Sequence, residues 1–125
     1  MVRVTFDHFA IAVTKWGETS AFYQRVLGAE LVEHSPGRFA FRWGTNQINV
    51  VGPSPFVQPR EAIVAGSVDM CFVWPGPVEE AQKHLEGSGV DLIAGPMTRP
   101  GAGGSGSSVY FRDPEGNLLE LISYT

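Results

Sequence analysis

An internal repeat is the feature that most constrains how this chain can fold. A shift of 61 residues lays His8 on Asp69, Ile11 on Phe72, Gly28 on Gly89, Leu31 on Leu92 and Val32 on Ile93. The strand start and the glycine after the helix keep one offset. The apolar phase of the helix does not, so architecture is shared while identity is low. Each copy reads β-α-β-β-β. Two copies are too few for a solenoid, which needs three or more. Two such units instead suit a pair of sheets around one core. The length of 125 residues allows one domain and not comfortably two. The 15 glycines and 9 prolines imply many turns and argue against a helical bundle.

Residues 4–13, VTFDHFAIAV, alternate as a strand does. A helix follows from Gly17 to about Leu27, and Gly28 stops it. Strands are expected near 30–34, 38–43 and 47–51, divided by Pro36-Gly37 and Gly44-Thr45-Asn46. Residues 52–66 contain three prolines and read as a surface linker, which leaves module 1–52, linker 53–66 and module 67–125. The second module opens with a strand at 68–74 and a helix at 78–87. A strand near 90–94 comes next, then a Gly/Ser-rich loop at 95–108. The chain closes with strands at Val109-Tyr110-Phe111 and at Leu118 to Tyr124. The Asp113-Pro114-Glu115-Gly116 turn between them has the proline and glycine positions of type I.

Composition excludes several function classes. Apolar residues at 43% and charged residues at 18% describe a globular chain. A net charge of −4 leaves no basic footprint for nucleic acid or an acidic membrane. No apolar run approaches the ~20 residues of a membrane helix. The N-terminus lacks the apolar stretch of a secretory signal, so the expected location is the cytoplasm. Cys71 is the one cysteine and has no internal disulfide partner. Between Met70 and Phe72 it reads as a small core or pocket-lining residue.

Four segments carry a family resemblance. Asp7-His8-Phe9-Ala10-Ile11-Ala12-Val13 and Phe22-Tyr23-Gln24-Arg25-Val26-Leu27-Gly28 resemble the first module of the vicinal oxygen chelate superfamily. That group holds glyoxalase I, the bleomycin- and fosfomycin-resistance proteins and the extradiol dioxygenases. Gly66 to Phe72, and the closing Asp-Pro-Glu-Gly-Asn-x-x-Glu-Leu of residues 113–121, resemble its second module. The resemblance implies an α+β fold of two βαβββ modules curling into an eight-stranded open barrel. It also implies a divalent metal held by the first and last strands of each module. His8 matches the first-strand histidine and Glu120 the last-strand glutamate. Asp69 stands where many relatives have a second histidine. Asn49 and Val51 stand where relatives often place His or Glu, so that corner departs from the pattern.

Strand alternation groups the same residues without reference to relatives. His8 shares its face with Phe6, Ala10 and Ala12. Asp69 shares its face with Cys71 and Val73, and Glu120 with Leu118 and Ile122. An acid inside the apolar run LLELIS costs several kcal/mol, in order of magnitude, unless it is paired or bound to a cation. A metal is one partner for it. His8, Asp69 and Glu120 form a mixed N/O set suited to Mn, Fe, Ni, Zn or Mg. A solvent-facing position at a barrel mouth is the bland alternative, as is pairing with Arg42 or Arg112. His8 alone would be a hydrogen-bonded core histidine, and Asp69 alone a turn residue bonded to backbone N–H groups. His34 and His84 read as solvated. Trp74 falls out of phase with Asp69 and is assigned to the core side.

Phe39, Phe41 and Trp43 alternate on one strand face. They form an apolar ligand wall with Asn49, Val51 and Cys71 if they face a cavity, and core if they face a helix. The 95–108 loop would be a mobile cover or a plain surface loop. It matches neither a Walker loop nor a dinucleotide fingerprint.

The expected function is a small metal-dependent lyase or isomerase of the glyoxalase type, acting on a small oxygenated substrate. Glu120 or Asp69 would shuttle the proton. A metal-free, drug-binding protein is the alternative. An extradiol dioxygenase fits less well, because Asp69 occupies the second histidine position. Exposed edge strands lead us to expect a homodimer.

Overall fold

The computed structural model describes residues 2–51 and 59–125. The chain divides into two compact units, Met1–Ala65 and Gly66–Thr125. Residues 53–58 of the expected linker lie outside the described residues, and 59–65 carry no helix or strand.

The first unit runs β1 (His8–Ile11), α1 (Trp16–Arg25), β2 (Glu30–Ser35), β3 (Arg38–Trp43) and β4 (Asn46–Val50). The second runs β5 (Asp69–Val73), α2 (Val78–Gly87), β6 (Ala94–Gly101), β7 (Gly104–Arg112) and β8 (Leu118–Ser123). The sheet orders are β1-β4-β3-β2 and β5-β8-β7-β6. In each unit the first strand lies parallel to the last, and the other pairs are antiparallel. The fold is α+β, a βαβββ unit built twice. The offset of 61 is visible in the backbone. β1 begins at His8 and β5 at Asp69. The post-helix glycines Gly28 and Gly89 both have positive φ, 68° and 74°.

One face of each sheet is buried by its helix. In the first unit Phe22 and Tyr23 of α1 are buried together with Ile11, Phe41 and Ile48. The Tyr23 and Phe41 rings stack at 4.6 Å and 11°. In the second, Val78, Ala81 and Leu85 of α2 are buried with Val109, Phe111, Leu119 and Leu121. Period-2 alternation then fixes the contents of the opposite face.

Three expectations need correction. The strand expected over 4–13 is only His8–Ile11, because β4 supplies four partner residues, Gln47 to Val50. Residues 90–93 hold no strand. Residues 95–108 are not a loop: they belong to a long hairpin, β6–β7, paired from Ala94↔Tyr110 to Gly101↔Gly104. Glycine weakens a strand because it offers no side chain to pack. Here the missing side chains are replaced from elsewhere. A Cβ on Gly106 would meet the Ser123 carbonyl oxygen at 2.7 Å and Ile122 at 2.8 Å, and one on Gly103 would meet the Tyr124 ring at 2.9 Å. The Tyr124 hydroxyl also accepts a hydrogen bond from the Gly103 N–H at 3.0 Å. The glycines let Tyr124 and Ile122 lie against the ribbon. His84, read as solvated, is half-buried instead, with its ring 5.3 Å from that of Trp74.

Candidate functional site

The helix-free face of the second sheet holds a cleft of about 500 Å³. Strand register explains its lining. Asp69 lies opposite Leu118, Cys71 opposite Glu120, Glu120 opposite Tyr110, and Tyr110 opposite Ala94. Asp69, Glu120, Tyr110 and Arg112 therefore project from one face. Together with Arg99, Met97, Ile93 and Leu118 they line the cleft. Glu120 is half-buried, whereas Asp69 is exposed. Among the described residues, neither carboxylate has a hydrogen-bond or ion-pair partner. Arg112, one partner weighed for Glu120, donates weakly to the Gly116 carbonyl at 3.4 Å. Arg42, the other, is engaged inside its own unit.

The field of these acids registers on Cys71. Its thiol is pushed up to about 11, first by burial, then by the Glu120 charge, with a smaller contribution from Asp69. A backbone hydrogen bond at Ile122 opposes the shift. Such a thiol stays protonated at neutral pH, so Cys71 is no nucleophile there. It is exposed on the Asp69/Glu120 side of β5, not in the core.

The 113–117 segment is bonded to the start of β5. Asp113 is buried and accepts the backbone N–H groups of Glu115 (3.0 Å) and Asn117 (2.9 Å). Its second oxygen accepts the Asn117 amide at 2.8 Å. Asn117 is buried, and its own oxygen accepts the Val68 N–H at 3.0 Å, one residue before Asp69. The motif thus ties the β7–β8 turn to the start of β5. Its acid, Asp113, serves structure and is spent on two backbone N–H groups and the Asn117 side-chain amide.

The equivalent face of the first sheet is organised differently. His8 lies opposite Gln47, Gln47 opposite Arg42, and Ala10 opposite Asn49. Arg42 donates twice to Gln47 Oε1, at 2.9 and 2.7 Å, and Gln47 donates to Asn49 Oδ1 at 2.6 Å. The amide expected at a ligand position is committed to this chain of bonds. His8 Nδ1 lies 2.5 Å from an Asp7 carboxylate oxygen, and its side chain is 45% exposed. Val51 closes the β1–β4 ladder, donating to the Ile11 carbonyl at 2.9 Å.

Of the two fates open to the aromatic stripe, the structure shows the helix-facing one. Phe41 stacks on Tyr23, Phe39 lies 5.0 Å from Trp16, and Trp43 Nε1 donates to the Leu27 carbonyl at 2.7 Å. Phe41 is core, and the half-buried Phe39 and Trp43 pack on the same α1 side, so the stripe takes the helix-facing fate and is not an apolar ligand wall. Ala40 and Arg42 take the opposite face because a strand allows no other arrangement.

Among the described residues, no group of three or more His, Cys, Asp or Glu side chains is arranged to hold a metal ion. The second unit supplies two carboxylates, and His8 belongs to the first. As donor types alone, a histidine nitrogen and two carboxylates suit a hard or borderline divalent ion. Among the described residues both carboxylates lack a hydrogen-bond or ion-pair partner, and the Asp7 contact at Nδ1 leaves Nε2 of His8 as the available nitrogen. Sequence reasoning missed Arg99, Tyr110 and Arg112 as cleft residues. The alternation of Tyr110 and Arg112 could have shown two of them. Arg99 was hidden in the segment read as a loop.

The Glyoxalase/Bleomycin resistance protein/Dioxygenase superfamily profile matches residues 5–121. The chain belongs to this superfamily. It is 38% identical over 121 residues to the glyoxalase domain-containing protein RDO1 of Mycosarcoma maydis, covering 96% of this chain and 68% of that protein. A solved integron cassette protein from the mobile metagenome of V. cholerae superposes with a TM-score of 0.91 at 37% identity, covering 100% and 98% of the two chains. The fold alone is shared, at 23% identity and a TM-score of 0.66, with the E126Q mutant of fosfomycin resistance protein FosX from Listeria monocytogenes, solved with Mn(II) and covering 97% and 90%. It is also shared, at 21% and 0.74, with the antibiotic binding protein TnmS3 of Streptomyces, covering 100% and 99%. Superfamily membership supports a role in binding or converting small molecules. Among the described residues no helix is long and apolar enough to cross a membrane.

Proposed function

We propose that the protein is a metal-dependent lyase or isomerase of the glyoxalase type, with His8, Asp69 and Glu120 as ligands and a small oxygenated molecule as substrate. The observation that carries this reading is Glu120. It is half-buried in the apolar strand β8, faces the cleft, and has no partner among the described residues. A carboxylate in that setting is costly until a cation meets it. A bound divalent ion would polarise a substrate oxygen and stabilise developing negative charge. Glu120 and Asp69 would hold the ion, and the one that loosens would accept or return the substrate proton. Leu118, Ile93 and Met97 supply the apolar part of the wall.

A metal-free binding protein is the second reading. The Arg42–Gln47–Asn49 chain favours it, because it places a committed amide where the resemblance leads one to expect an ionisable ligand. Elemental analysis of protein purified without chelators, followed by titration with Mn²⁺, separates the two. Near-stoichiometric uptake supports the enzyme. Less than about a tenth of an equivalent, with no uptake on titration, supports the binding protein.

The proposed assembly is a cytoplasmic homodimer. Each sheet leaves two edge strands, β1 and β2 or β5 and β6, and exposed edges are normally covered. A monomer mass by light scattering at all micromolar concentrations would contradict it.

A further inference from the structure

The two acids occupy the β5–β8 side of the second unit's cleft, whereas Arg99 enters from β6 and Tyr110 from β7. Arg99 Nε donates to the Tyr110 hydroxyl at 3.1 Å. That single bond sets the chemistry of the corner. With Nε engaged, the terminal edge of the guanidinium still presents two parallel N–H groups. With its oxygen accepting from Arg99, the Tyr110 hydroxyl has its proton to donate elsewhere. Among the described residues Arg99 has no carboxylate partner, although two carboxylates line the same cleft. The fold also leaves another polar group on this face unused. Ser108, two residues before Tyr110, is fully buried, and its hydroxyl has no partner among the described residues.

We propose that Arg99 and Tyr110 form an anion subsite that binds the carboxylate or phosphoryl end of the substrate. Paired anionic oxygens fit the two guanidinium N–H groups in a bidentate fork, and the Tyr110 proton adds a third donor. Resting on the function proposed above, this deepens it: the substrate is a short molecule, anionic at one end and carrying the reacting oxygens at the other. Glu120 stands opposite Tyr110 on the side away from β6. The reacting end would lie there, about one strand spacing (~5 Å) from the anion. The hairpin matters to this inference. Pairing of Arg99 with Gly106 fixes where Arg99 leaves the strand, which a flexible glycine loop could not do.

The test is an NMR titration of metal-free protein with inorganic phosphate and, separately, with acetate. At least one anion should shift the Arg99 side-chain and Tyr110 resonances saturably, in the millimolar range. The anion that binds more tightly identifies the group. Arg99→Gln should weaken that binding at least tenfold, as loss of a charge-assisted bidentate contact does. Tyr110→Phe should weaken it by a smaller factor and keep the ring in place. Glu120→Gln should leave it equal or tighter, since it removes a like charge. No saturable shift with either anion by about 100 mM, or binding unchanged in Arg99→Gln, would overturn the subsite. Metal plays no part in this titration. A protein that takes up metal but ignores both anions defeats the subsite alone, and one that binds anion but takes up no metal defeats the metal reading alone.

Discussion

The two units share a topology and differ in how they use the polar groups on the helix-free face. In the first, Arg42, Gln47 and Asn49 satisfy one another at 2.6–2.9 Å. In the second, among the described residues, Asp69 and Glu120 have no hydrogen-bond or ion-pair partner, and Arg99 meets only Tyr110. Side chains bonded to one another are already compensated for leaving water. Those left unpartnered are compensated only when something binds. A duplicated fold therefore need not carry a duplicated site, and its chemistry is sought where the polar groups remain free.

The largest expected effect tests the first unit's role as packed scaffold. Phe41→Ala removes a fully buried ring stacked on Tyr23 and should cost about 3–5 kcal/mol, measured by urea unfolding. Anion binding by the folded fraction should not change. If that binding is lost while the protein stays folded, the stripe is a ligand wall after all.

Gly106→Ala comes next. The new methyl would crowd the Ser123 carbonyl and Ile122, so a loss of about 1–3 kcal/mol is expected. Slower amide exchange in the wild-type hairpin than in the variant would locate the damage in β6–β7. An unchanged melting temperature would mean that the hairpin tolerates the intrusion, and that its glycines are not fixed by packing.

Gln47→Ala leaves Arg42 without its acceptor and should cost about 0.5–1.5 kcal/mol, with metal uptake intact. Loss of metal uptake in this variant would mean that the first face is not merely self-satisfied.

The smallest effect is a titration. The rate of Cys71 alkylation should rise with a midpoint of about 11, above the ordinary thiol range. Glu120→Gln should lower that midpoint without restoring the ordinary value, because burial is the larger cause. For stability, the raised value means that the folded state holds its proton longer than the unfolded chain does. The thiol's contribution is complete below the ordinary thiol pKa and is lost as pH rises through about 11.

Much of the fold was legible because its signals are local and periodic. The 61-residue offset, helix α2 at 78–87 and strand β3 at 38–43 all follow from side-chain period and glycine stops. Phase also grouped Asp69 with Cys71 and Glu120 with Leu118, as strand register confirms. The 95–108 segment was illegible for a physical reason. Its strand character rests on Tyr124 and Ile122, side chains from beyond β7 that fill the space over glycine, and no window of local sequence contains that fact. Arg99 was lost with it. The fate of Phe39, Phe41 and Trp43 was open for another reason: alternation says which residues share a face, and not which face the helix covers.

The claim that Glu120 awaits a cation is tested most directly by melting wild-type and Glu120→Gln protein side by side, without metal and then with excess Mn²⁺. Without metal, the variant should melt at the same temperature as wild type or higher, because it removes an uncompensated, half-buried charge. With Mn²⁺, the wild-type protein should gain stability and the variant should gain little. A variant that is clearly destabilised without metal, yet gains as much from Mn²⁺ as wild type does, would show Glu120 to be a structural partner and would contradict this account.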